Sequence, residues 1–94
     1  DKNPYYHYGL GESSYADGKW REALGHYRDA LKRKPREPHF HHAAARTYAE
    51  LGDLQEAAHH LEKAVEYAAT VEGRDRYSQK LEFLAHRSSL DPRE

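Results

Sequence analysis

"GKWREALGHYRDALKRKP" runs from Gly18 to Pro35 and "GDLQEAAHHLEKAVEYAA" from Gly52 to Ala69, and the two stretches match at an offset of 34 residues. The same shift places Pro4 over Pro38, His7 over His41, and Glu22, Ala23, His26 and Ala30 over Glu56, Ala57, His60 and Ala64. Several mismatches keep their character: Leu10 lies over Ala44, Trp20 over Leu54, Tyr27 over Leu61 and Leu31 over Val65. Self-similarity at a fixed period of this length marks stacked repeats, in which no unit buries its apolar face alone.

Each copy reads as two helices. Asn3 is a candidate cap, Pro4 suits a first helical turn, and the helix runs to about Asp17. His7, Leu10, Gly11 and Ser14 share one face at i, i+3, i+4, i+7. Gly18 breaks the pattern. A second helix carries Trp20, Ala23, Leu24, Tyr27, Ala30 and Leu31 on one face and stops before Pro35. In the next copy Pro38 opens a helix with His41, Ala44, Ala45 and Tyr48 inward, and Gly52 turns the chain. Asp53 with Glu56 forms a capping-box-like start. Leu54, Ala57, Ala58, Leu61, Ala64 and Val65 then make the apolar stripe. The small residues Gly11, Ala23, Ala45 and Ala57 allow close helix approach, because a larger side chain there would overpack the contact at ~1–3 kcal/mol.

These positions resemble the tetratricopeptide repeat, whose pattern is W-x2-L-G-x2-Y, then A-x3-F, then P. The first copy reads His7, Leu10-Gly11, Ser14, Ala23, Tyr27, Pro35; the second reads His41, Ala44-Ala45, Tyr48, Ala57, Leu61, with Ala69 in place of Pro. The resemblance covers residues 4–71 and implies an all-α solenoid of antiparallel helix hairpins, about five helices in all. It departs from the pattern in His for Trp, Ser14 for Tyr and the absent second Pro. Without that Pro, the helix beginning near Asp53 is expected to continue through Tyr67 toward Val71.

The expected organisation is a single domain over residues 1–94, with repeats at 4–37 and 38–71. From Arg74 to Leu90, Tyr77, Leu81 and Leu84 lie at i, i+4, i+7 on one helix face. Asp75, Ser78 and Gln79 would fall on packing positions at the 34-residue offset, so this segment reads as a capping helix with Lys80, Glu82, Arg87 and Ser88 facing water. The closing "LDPRE" (residues 90–94) also resembles a repeat exit, and a lead into further repeats is the alternative. The chain starts at Asp1 and contains no Met; it is expected to be a piece of a longer protein.

Composition narrows the work such a chain does. Net charge is -1, which argues against general binding to nucleic acid or anionic membranes. There is no cysteine, hence no disulfide framework and no thiolate chemistry. No apolar run approaches a membrane span or a signal-peptide core, and a cytoplasmic location is the expectation. No nucleophile motif or phosphate-binding loop is complete, so neither an enzyme nor a cofactor is expected. Eight histidines raise a metal site, and His39 with His42, or Glu56 with His59, have helical ligand spacing. Neither pair has a third ligand beside it, so no metal is expected. "KRKPR" (Lys32–Arg36) is a cationic helix end before it is an import or nucleic-acid signal.

In stacked helix pairs the first helices line the concave side, where relatives by resemblance hold a peptide or protein segment. Tyr5, Tyr8, Glu12 and Tyr15 form a stripe on the first helix; His39, His42, Arg46 and Ala49 are its 34-residue counterparts. The expected groove therefore comprises Tyr5, Tyr8, Glu12, Tyr15, His39, His42 and Arg46. Stacking would bring Tyr5 near His39, Tyr8 near His42 and Glu12 near Arg46. The imidazoles would weaken binding, or change its preference, below about pH 6.5. Packing on neighbouring helices is the other reading of the stripe. Chaperone-binding members carry a Lys/Asn/Arg clamp for a C-terminal carboxylate; the matching residues here are Tyr8, Glu12, Ala43, Gly73 and Tyr77, which argues against a chaperone tail. Three classes of function stand: a protein–protein interaction module, a structural segment whose ends stack on more repeats or on copies of itself, with Tyr6 and Tyr77 as sticky surfaces, and an RNA-binding helical repeat. The first is favoured.

Overall fold

A computed structural model describes residues 3–89. Among these the chain forms five helices and no strand: α1 Pro4–Ala16, α2 Trp20–Arg33, α3 Pro38–Glu50, α4 Leu54–Tyr67 and α5 Val71–Ser89. Each packs on its sequence neighbour, giving a stack of antiparallel hairpins.

The helix ends follow from local chemistry. The Asn3 side chain accepts the Tyr5 N–H at 2.8 Å, and Pro4 occupies the opening turn. Glu37 does the same for His39 ahead of Pro38, at 3.3 Å, and Asp53 accepts the Glu56 N–H at 3.1 Å. The exits of α1 and α3 are alike. Gly18 (φ 73°) and Gly52 (φ 84°) take the left-handed conformation that glycine adopts without Cβ strain. The Lys19 N–H then reaches back to Ser14 C=O and the Asp53 N–H to Tyr48 C=O, each at 2.9 Å, closing the Schellman arrangement.

α4 does not run on toward Val71. It ends at Tyr67, and Ala68 is extended (φ -56°, ψ 133°). Thr70 supplies the reason: its Oγ1 accepts the Gly73 N–H at 3.0 Å and its carbonyl accepts the Arg74 N–H at 3.0 Å. Thr70 thereby caps a new helix, which starts three residues before the expected Arg74. The expected end at Leu90, the side chain of Ser88 and the LDPRE stretch lie outside the described residues.

Two cores alternate along the stack. Ala23, Leu24, Tyr27, Ala43 and Ala44 form one, with Tyr8, Tyr15, Leu31, Tyr48 and Leu51 packed around it. Ala45, Ala57, Leu61 and Leu84 form the next, flanked by Tyr48, Ala49, Leu54 and Leu81. α3 belongs to both. Its consecutive residues Ala43, Ala44 and Ala45 point about 100° apart around the helix, yet all are buried. Only a helix covered on several sides can bury such a run.

That central placement also buries Phe40 completely, a residue the repeat pattern did not mark. Its ring lies 5.1 Å from Tyr5 and 5.3 Å from Tyr8, so it fills the α1–α3 seam. Thr47, equally buried, is satisfied by donating its hydroxyl to the Ala43 carbonyl at 2.8 Å. Ser14, standing where the repeat pattern has Tyr, donates to Glu22 Oε2 at 2.6 Å. On α5, Tyr77 and Leu84 are buried and Leu81 is half-buried, as the i, i+4, i+7 pattern predicts. Asp75, Gln79 and Glu82 are exposed.

Candidate functional site

One face of the stack is lined by α1, α3 and α5 in turn. The 34-residue period that relates α1 to α3 continues into α5 on this face: His42, Ala45, Arg46 and Ala49 stand beside Arg76, Gln79, Lys80 and Phe83. Between α3 and α5 these residues, with Leu61, Leu84 and Arg87, bound an open pocket of about 450 Å³. Its floor is apolar, since Ala45, Leu61 and Leu84 are buried there, and its α5 wall carries Arg76, Lys80 and Arg87, all exposed.

The α1–α3 half is closed by its own side chains. Glu12 accepts hydrogen bonds from Arg46 and from the Tyr27 hydroxyl, so the anticipated Glu12–Arg46 ion pair forms. The Arg46 guanidinium also lies over the Tyr15 ring, 4.0 Å from its centroid. Charge, hydrogen bonding and stacking together hold the Arg46 guanidinium in place. Burial raises the Tyr27 phenol's pKa, and its hydrogen bond to the Glu12 carboxylate raises it further. The hydroxyl therefore stays a donor at neutral pH.

The tyrosines of the stripe have partners of their own. The Tyr5 ring meets Phe40 edge-on, its hydroxyl donates to Glu37 Oε1 at 2.6 Å, and Lys34 Nζ donates to it at 2.9 Å. Tyr8 lies against Phe40 and Tyr27, with ring centroids at 5.3 and 5.9 Å. Phe40 thus fills the seam between Tyr5 and Tyr8. Tyr15 packs edge-on against Trp20 at 4.9 Å and donates to Glu50 Oε2 at 3.3 Å. His39 is exposed.

His42 faces Tyr77, with ring centroids 5.4 Å apart. Burial, then the nearby Lys80 and Arg46 charges, bring its pKa down to about 4. It is neutral across pH 5.5–8, so the pH response expected near 6.5 does not arise from His42. Tyr77, expected as a sticky surface, is buried; Tyr6 is 48% exposed.

Sequence reasoning missed Arg76, Lys80 and Phe83. The signal was the same period, carried once more along the groove positions. Polar Asp75 and Gln79 at the α5 packing positions hid it.

Among the described residues, no group of three or more His, Cys, Asp or Glu side chains is placed to hold a metal ion. No helix among them is long and apolar enough to cross a membrane. A family model described as tetratricopeptide repeat matches residues 14–77. No curated protein matches the sequence.

Proposed function

The chain belongs to the tetratricopeptide repeat family, whose members generally bind other proteins or peptides and are typically not enzymes, and from that premise we propose that it holds a protein segment in the groove lined by α1, α3 and α5. The observation that carries this reading is the open α3–α5 pocket, whose two walls stand at positions 34 residues apart and whose lining is largely apolar at Ala45, Ala49, Leu61, Phe83 and Leu84. Phe83, 64% exposed, stands at its edge as a large apolar contact; aromatic and arginine side chains are the common anchors of protein interfaces. Of the groove residues singled out in the sequence, His42 and Arg46 line this pocket directly. Glu12 and Tyr15 support it by holding Arg46, while Tyr8 packs on Phe40 and Tyr27 and neither Tyr5 nor His39 lines the pocket.

In this reading α1–α2 and α3–α4 are the two repeats, and α5 closes the stack as a cap. Asp75, Gln79 and Glu82 occupy the α5 positions that match His41, Ala45 and Tyr48 on α3. A second helix laid there would bury charged groups without partners.

A photo-crosslinking residue at Ala49, inside the pocket, and another at Glu62, on the exposed side of α4, test the proposal. Adducts to another protein from position 49 alone, suppressed by excess unmodified chain, support it. Equal adducts from both positions, or adducts only to a second copy of the chain, contradict it and favour self-association.

A further inference from the structure

The proposed groove is electrically divided. Between α1 and α3 the groove's charges are matched: Arg46 is held by Glu12. On α5 they are not. Arg76, Lys80 and Arg87 point along one wall of the pocket, and among the described residues none forms an ion pair with a carboxylate. Glu72, Asp75 and Glu82 share that helix yet pair with none of the three. A chain of net charge -1 thus places around one apolar cleft three cations that have no carboxylate partner among the described residues. Arg76 and Lys80, one turn apart, repel each other, and Arg87 adds a like charge two turns further on, which an incoming anion relieves.

Resting on the groove reading, we infer that the α3–α5 half of the groove receives an acidic protein segment bearing an apolar side chain. Its carboxylates lie over Arg76, Lys80 and Arg87. The apolar group enters the pocket against Phe83 and the floor of Ala45, Ala49 and Leu84. Arginine forks suit side-chain carboxylates, and His42, kept uncharged, offers a neutral hydrogen-bonding partner. The cations stand at 76, 80 and 87, not at the positions of a chaperone-type clamp (Gly73 and Tyr77), so recognition requires acidic side chains and not a chain terminus. A protein segment is favoured over RNA because the pocket is floored by aliphatic groups, with Phe83 its one Phe, Tyr or Trp side chain.

The test follows backbone amide NMR shifts of the isotope-labelled chain titrated with synthetic peptide pools of equal length. The pools share varied apolar centres and differ in their flanks: Asp/Glu, Asn/Gln or Lys/Arg. Oligouridylate is a fourth probe. The acidic pool is expected to move the amides of Ala45, Ala49 and Phe83 saturably. R76E/K80E should weaken that binding about tenfold or more, and F83S should weaken it with the charge intact. Circular dichroism checks folding, and R76A/R87A replaces the reversal variant if that fails to fold. Equal shifts from the neutral or basic pool would overturn the acidic assignment and leave the groove reading standing. Stronger binding by oligouridylate would reassign the wall to nucleic acid. No shift at these amides from any pool overturns the inference, while crosslinking at position 49 judges the groove by itself.

Discussion

Gly11 on α1 lies directly against the Tyr27 ring on α2: a Cβ at position 11 would stand 2.5 Å from Cε1 and 2.7 Å from Cδ1. Tyr27 is fully buried and cannot swing away. Gly11→Ala would ordinarily favour a helix by about 0.5–1 kcal/mol. Here overpacking of about 1–3 kcal/mol opposes that gain, and the variant is expected to be less stable. Gly9 and Gly25 are helical too, but a Cβ at either would meet no neighbouring group within 4 Å. Ala at either should stabilise by about 0.5–1 kcal/mol. Urea midpoints of the three variants check both signs.

Phe40 is the second close-packing test. Phe40→Ala should cost about 3–5 kcal/mol, a large share of the ~5–10 kcal/mol expected for a domain of this size. Phe40→Leu, closer in volume, should cost less than about 1.5 kcal/mol. Thermal unfolding distinguishes them. A mild Phe40→Ala would mean that the α1–α3 seam is not the tight contact described.

Two histidines on facing helices meet nitrogen to nitrogen. His41 Nδ1 is 3.0 Å from His60 Nδ1, and His41 Nε2 is 2.7 Å from the Pro35 carbonyl. A carbonyl oxygen only accepts, so His41 carries its proton on Nε2 and accepts at Nδ1 from His60 Nδ1–H. Nitrogen chemical shifts should report opposite tautomers at the two residues.

Acid should weaken the fold through the same groups. Burial lowers the pKa of His41, and burial with neighbouring cationic or imidazole groups brings His42 and His60 to about 4. With folded values below the unfolded ~6.5, the unfolded chain binds more protons as pH falls. The histidine contribution is whole above pH 6.5 and declines toward pH 4. Glu22 and Glu37, also lowered, contribute a decline only below about 4.5. Urea midpoints should therefore already fall between pH 6.5 and 5, and an H42N/H60N variant should show a flatter slope there.

Tyr27→Phe isolates the buried polar link to the groove. It removes the hydroxyl whose hydrogen bond Glu12 accepts and leaves the ring packing unchanged, so a loss of about 1 kcal/mol is expected in denaturant unfolding. Arg46→Glu would be far harsher, setting a carboxylate beside Glu12.

The hairpins were legible because their interiors obey the period: His41, Ala44 and Ala45 repeat His7, Leu10 and Gly11, and the turn glycines recur. Phe40 was not, because its counterpart Tyr6 is exposed. The difference lies in having a helix on each side, which the repeat pattern does not encode. The end of α4 escapes the pattern because the capping chemistry of Thr70 decides it, and not the absence of Pro at position 69. In the groove, the Glu12–Arg46 pair followed from spacing alone. The tyrosine contacts did not, since they depend on a ring inserted between the helices.

If the α3–α5 pocket is the binding surface, a charged side chain placed inside it must block the bound segment. Calorimetry measures this directly, as the affinity of the segment captured at position 49 for the wild type, for Ala49→Arg in the pocket and for Glu62→Arg on the outer helix, each first shown to be folded. About a tenfold or greater loss, about 1.4 kcal/mol, is expected for Ala49→Arg and little change for Glu62→Arg. Unchanged affinity in Ala49→Arg, or an equal loss in both variants, would contradict the assignment of the pocket.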